Sequence, residues 1–280
     1  MTVSAQTWKT SAPADELDAS TMPVARKLSS SARTFFLAWT AAWWGGVGVC
    51  AVLFFVGVID FVDSCRISLY GISIWLNGWI FPYMARRRDG GSQLDLYHDC
   101  LVVWMLSYLM TNVLWEMPWV LFSPFIFTDL STIDDVIAYT GYMQEHVLHM
   151  YWWMLASFSS VDLRTVNHDP TFYSVEMFSF VNVALVLYFF HLNKKRSPYR
   201  YVVAVLGCGE PVAATFIFSF AEVFGGFENM TGGVADTLLA LVWTQYQYFV
   251  FPLIFGVWGL RLLREDWRRS DAGDARIGAA

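Results

Sequence analysis

An all-α, polytopic membrane helix bundle is the fold class this sequence predicts, with about six spanning helices and one interfacial or re-entrant helix. Three observations lead there. Of the 280 residues 56% are hydrophobic and only 15% charged, at a mean hydropathy of +0.43, whereas soluble domains carry roughly 25% charged residues. The apolar residues fall in continuous runs of helix length, not in the short alternating strands of a barrel. The charged residues gather in the tails and between the runs.

Residues 1–33 are polar, rich in Ser, Thr and Ala, and carry both acids and bases. No apolar stretch there marks a cleaved signal, so a retained, unstructured leader is expected. Apolar runs follow at about 34–60, 66–84, 100–127, 137–159, 172–192, 200–222 and 236–263. The first is an additional N-terminal transmembrane helix, 66–263 form the rest of the transmembrane domain, and 264–280 are a polar tail expected to be unstructured. Basic residues decide how many runs cross. Arg26, Lys27 and Arg33 precede the first run, Arg86–Arg88 follow the second, Lys194–Arg196 the fifth, and Arg261, Arg264, Arg268 and Arg269 end the last. With seven crossings the Arg86 cluster would face away from the two later ones, against the tendency of Lys and Arg to stay cytosolic. The conflict disappears if 137–159 does not cross. That run holds Glu145, His146 and His149 among Tyr142, Tyr151, Trp152 and Trp153, a mixture suited to an interfacial or re-entrant helix. Six crossings place both termini in the cytosol.

Several function classes are disfavoured. The net charge of −6 comes without a basic stripe, so no nucleic-acid partner is expected. Cys50, Cys65, Cys100 and Cys208 show no CxxC or His-paired spacing and read as packed thiols. No Gly-rich phosphate loop follows a strand, and no cofactor is expected. Glu145, His146 and His149 are ligand-type residues at helical spacing, but no fourth ligand is evident and no metal is expected.

The chemistry points instead to polar groups at membrane depth, each of which costs several kcal/mol unless paired or hydrated. The stretch Thr111–Pro118, TNVLWEMP, places Asn112 and Glu116 one helical turn apart on one face. Glu176 opens the fifth run after Asp169-Pro170. Gln245 and Gln247 sit in the last run, seven and five positions before Pro252. Glu210-Pro211 interrupts the sixth run, where Glu210 reads as a helix-end group paired with Arg200 or with a neighbouring helix, and Glu222 as a solvated group at the interface. Asn77, Asn182 and Gln247 read as inter-helix hydrogen bonders. Pro118, Pro211 and Pro252 each free a backbone carbonyl. No Lys or Arg lies in the runs of Glu116 and Glu176, and a carboxyl in such apolar, aromatic surroundings is a candidate general acid for an alkene or carbonyl. Trp104, Trp115 and Tyr248 fall at similar depth, where aromatic faces can stabilise a cation.

The stretch Asp162–Glu176, DLRTVNHDPTFYSVE, resembles the loop and helix entry of the emopamil-binding protein family, the sterol Δ8–Δ7 isomerases of the EXPERA superfamily. Asp162, Arg164, Asp169 and Glu176 stand at that family's spacings, Pro198, Arg200 and Glu222 follow its next helix, and Gln245, Tyr248 and Pro252 resemble its final one. Where the family has His-x-x-x-Glu, this chain has Asn112 and Glu116. The resemblance covers about 66–263. It implies an acid-catalysed double-bond shift on a sterol or related isoprenoid lipid, with Glu116 as proton donor and Glu176 as second carboxyl. Asn112 and Gln245 would orient the site, Trp104, Trp115 and Tyr248 would wall it, and Asp162, Arg164 and Asp169 would be structural. It also implies residence in the endoplasmic reticulum if the source is eukaryotic; a homodimer is left open. Two alternatives stand beside it: a non-catalytic sterol- or lipid-binding member, and an integral-membrane terpenoid cyclase, whose first acidic motif is similar to Asn-x-x-Trp-Glu.

Overall fold

The apolar runs form the helices of a bundle. The computed structural model describes residues 26–89, 91–127, 130–145 and 149–277. The first 25 residues of the leader, and His146 of the metal reading, lie outside these. Helix α1 (Ser30–Phe55) begins where Ser29 Oγ accepts the Ala32 N–H. A turn through Gly57 at φ +73°, a left-handed conformation that glycine adopts freely, leads into α2 (Phe61–Leu76), capped by Asp60. A 3₁₀ turn at Asn77–Trp79 separates α2 from α3 (Ile80–Asp89). Gly78 in this turn lets the Trp39 ring close in, since a Cβ there would stand 2.7 Å from Trp39 Cδ1. Trp39 Nε1 uses that approach to donate to the Trp75 carbonyl at 2.9 Å.

Helix α4 (Gln93–Thr111) continues through a π turn at Asn112–Glu116 into α5 (Met117–Ile126). The run at 137–159 becomes α6 (Ile133–Gln144), α7 (Met150–Ala156) and a 3₁₀ turn at Ser157–Ser160. With 12 and 7 residues, α6 and α7 extend roughly 18 and 10 Å at ~1.5 Å per residue, short of the ~30 Å hydrocarbon core. A second 3₁₀ turn, Leu163–Thr165, precedes α8 (Pro170–Glu176) and α9 (Phe178–Lys194). Then come α10 (Arg200–Phe224), the short α11 (Val234–Leu238), a π turn at Leu239–Trp243, and α12 (Tyr246–Ile277).

Five stretches are long and apolar enough to cross a membrane: Ser30–Phe55, Gln93–Ile126, Pro170–Lys194, Arg200–Phe224 and Val234–Asp271. The stretch α2 to α3, which the expected count of six crossings requires, is broken by its 3₁₀ turn and is not among them. Buried ion pairs fix which ends meet. Asp266 of α12 takes Arg200 Nη2 at 2.7 Å and Arg26 Nη1 at 3.3 Å, and Arg26 also reaches Asp95 at 3.5 Å. Arg86 binds Asp99 at 2.8 Å, and Arg200 donates to Asn193 at 3.1 Å. The starts of α1, α4 and α10, the ends of α3 and α9, and the last third of α12 therefore share one end. The tail expected to be unstructured is helical to Ile277. Its Asp266 is buried because two arginines from distant parts of the chain converge on it.

Candidate functional site

Between two apolar clusters, one around Trp119, Phe127 and Phe172 and the other around Trp104, Phe251 and Phe255, lies a cavity of about 990 Å³ including its open mouth. Helices α2, α4, α8, α9, α10 and α12 wall it, and Met154, Ser157 and Phe158 of the non-spanning segment roof it.

Of the residues singled out from the sequence, Glu116, Glu176, Trp115, Gln245 and Tyr248 line this one cavity. Among the described residues no Lys, Arg or His lines the wall with them, the Arg164 guanidinium standing behind the rings of Phe172 and Phe218. Trp104 stands behind it, 1% exposed, stacked on Tyr108 and edge-on to Tyr248. Asn112 is also off the wall and fully buried. Its Nδ2 donates to the Tyr108 carbonyl at 2.8 Å, while its Oδ1 has no hydrogen-bond partner. The Asn112–Glu116 pairing expected from an α-helical turn is thus replaced, because the π turn spans these five residues and breaks the i,i+4 register.

Proline chemistry explains the local shape. Pro118 cannot donate to the Leu114 carbonyl, and Tyr151 Oη of α7 fills that position at 2.6 Å. Pro124 likewise frees the Val120 carbonyl, which accepts Tyr173 Oη at 2.7 Å. Both freed acceptors therefore bind the elements that close the cavity, rather than facing lipid unsatisfied. Trp115 Nε1 donates to the Met154 carbonyl and Trp119 Nε1 to the Thr165 carbonyl, at 2.9 and 3.0 Å.

Asp162, Arg164 and Asp169 hold the roof in place. Arg164 contacts Asp162 Oδ2 at 2.6 Å and Glu222 Oε2 at 3.2 Å, donates to the Phe218 carbonyl at 2.9 Å, and lies 4.2 Å from the Phe218 ring centroid. Burial pushes the Asp162 carboxyl above its ordinary range, opposed by its bonds to Arg164. Glu222, expected to be solvated, is 1% exposed and also accepts from Asn229. Asp169 caps α8 by accepting the Phe172 N–H at 2.7 Å, which orients the helix carrying Glu176.

One cavity carboxyl was not picked out as a site residue from the sequence. Of the two pairings expected for Glu210, Arg200 is held by Asp266 at the bundle end, and the neighbouring helices supply the partners instead. Glu210 lines the cavity and accepts from Tyr108 Oη at 2.9 Å and from Asn182 Nδ2 at 2.5 Å, both on Oε2. Its only local signal was the adjacent Pro211. Asn77 and Gln247 do act as inter-helix hydrogen bonders, to Tyr246 and to the Ser73 carbonyl. Comparison of the chain with protein-family models, with curated proteins and with solved structures finds no match.

Proposed function

We propose that the protein is a membrane-embedded double-bond isomerase of a sterol or related polycyclic isoprenoid, working by carboxylic-acid protonation through a carbocation. The observation that carries this is the convergence of Glu116, Glu176 and Glu210 on one largely apolar, aromatic cavity. Its largely apolar lining suits a hydrocarbon body and sets acid groups beside it. Glu116 delivers a proton to one alkene carbon. The π pair forms the new C–H bond, and the neighbouring carbon becomes a tertiary cation. Tyr108, Trp115 and Tyr248 present ring faces to it, and Glu176 supplies negative potential. A cavity carboxyl then removes a proton from the next carbon, whose C–H pair becomes the shifted double bond. The step is redox-neutral and needs no cofactor.

The resemblance of Asp162–Glu176 to the emopamil-binding family supports the same chemistry. The membrane partner is an isoprenoid lipid, and in a eukaryote the membrane is that of the endoplasmic reticulum. Both termini lie in the cytosol, a placement supported by the basic residues Arg26, Arg86, Arg200 and Arg261 at the shared end of the bundle. A second reading, sterol binding without turnover, is favoured by one observation: the amide of Asn112 is spent on a backbone carbonyl, so no titratable side chain relays a proton at that position. Sterol profiling in a yeast lacking its own sterol isomerase separates the two. Conversion by the wild type and none by Glu116→Gln is expected; saturable binding without conversion by either chain would establish the binder.

A further inference from the structure

Three carboxyls share the cavity, but their surroundings differ. Glu116 lies in the π turn and Glu176 ends α8, and both line the cavity together with Trp115, Phe158 and Phe172. Glu210 lies ten residues into α10, near the middle of the bundle. Among the described residues it alone of the three receives donors from other helices, Tyr108 Oη of α4 and Asn182 Nδ2 of α9, both on Oε2. An amide N–H can only donate, so Oε2 is fixed as an acceptor and Oε1 is left toward the cavity. Tyr108 is itself held: its carbonyl takes Asn112 Nδ2 and its ring stacks on Trp104. Asn182 is fully buried between α9 and α10. The two donors are thus rigidly placed, which is what positioning a reactive carboxylate requires. Beside them, Ser179 Oγ lies on the cavity wall, 2% exposed and without a hydrogen-bond partner.

We infer that Glu210 is the proton acceptor of the isomerisation, with Tyr108 and Asn182 as the residues that position it. The inference rests on the acid-catalysed reading above and gives it a direction. Protons enter the substrate from Glu116 in the π turn and leave it to Glu210 in α10. When Glu210 takes the proton, the C–H electron pair forms the new π bond. The cavity is left with a protonated Glu210 and a deprotonated Glu116, and proton exchange with water at the open mouth restores both. Two carboxyls in contrasting surroundings, one apolar and one hydrogen-bonded, are the usual way a single site runs acid and base steps together. On this account the missing histidine at position 112 is no defect, because Asn112 supports Tyr108, and through it the acceptor, instead of relaying a proton itself.

The test uses the full chain in nanodiscs, with a polycyclic isoprenoid alkene as substrate and binding measured separately from turnover. Glu210→Gln keeps size and polarity; it is expected to bind within about threefold of wild type and to turn over about 10²–10⁴-fold more slowly, the range for loss of a general base. Glu210→Ala should regain turnover when formate is added, and Glu210→Asp should retain part of it. Neither rescue would follow from a purely structural role. Wild-type turnover in Glu210→Gln, with Glu116→Gln inactive, would overturn the assignment of Glu210 and leave the isomerase standing. Parallel loss of binding and turnover, with rescue by neither formate nor aspartate, would make Glu210 structural and overturn it too. A wild-type chain that binds the alkene but never shifts its double bond would overturn the isomerase reading and this acceptor with it.

Discussion

Arg164 shows how much of the site depends on residues outside the cavity wall. It is 1% exposed and holds Asp162 and Glu222, both equally buried, together with the Phe218 carbonyl. Removing one partner from a buried ion pair typically costs about 3–5 kcal/mol, because the remaining charge is left unpaired. Arg164→Met should therefore destabilise the protein by about that amount in a denaturant titration in micelles, with Glu222→Gln costing less; an unchanged midpoint would show that the knot contributes nothing. The spacing of Asp162 and Arg164 was visible in the sequence because the pair is local. Glu210 was not, because its partner Tyr108 is 102 positions away and nothing in an apolar run reports which faces will meet. Asn112 was legible as unusual but not as to its partner, since its hydrogen bond follows from a π turn that hydropathy does not reveal.

Among the elements, the segment 133–165 was the most legible as non-spanning. Glu145 and His149 among aromatic residues suit an interface, and the two short helices follow from that. Its start is fixed by a reciprocal cap: Thr132 Oγ1 accepts the Asp135 N–H at 3.1 Å, and Asp135 Oδ2 accepts the Thr132 N–H at 2.9 Å. The Thr132 hydroxyl, and then the Thr132 N–H, hold the Asp135 carboxyl below its ordinary range. With the folded value lower than the unfolded one, this cap stabilises α6 fully above the unfolded pKa and weakens as pH falls through the folded value. Hydrogen exchange of the α6 amides should accelerate, relative to the intrinsic rate, only below about pH 3.9, and Asp135→Asn should remove the pH dependence. Equal protection across that range in wild type would exclude the cap as its source. The end of α12 was misread for the opposite reason: Arg264 to Arg269 look like a solvated tail, and only the arrival of Arg200 and Arg26, 66 and 240 positions away, buries Asp266.

At the scale of the whole molecule, the hydropathy pattern and the basic clusters were enough for a helical membrane bundle whose ends meet. The weak point is the α2–α3 passage, which is not among the five long apolar stretches. If it crosses, the termini share a side; if it does not, they are opposed. Single cysteines introduced at Lys27, Lys195 and Arg268 in a cysteine-free background should all react with an impermeant maleimide from one side, and one at Asp134 from the other. Labelling of positions 27 and 268 from opposite sides would remove the sixth crossing. The cavity lies inside this frame, walled by helices from every passage, so its chemistry is the most direct test of the whole account. The decisive measurement is the sterol profile of an isomerase-deficient yeast expressing the chain. A shifted double bond with wild type and none with Glu116→Gln is the predicted result; an unshifted profile with the wild-type chain expressed and binding sterol would contradict it.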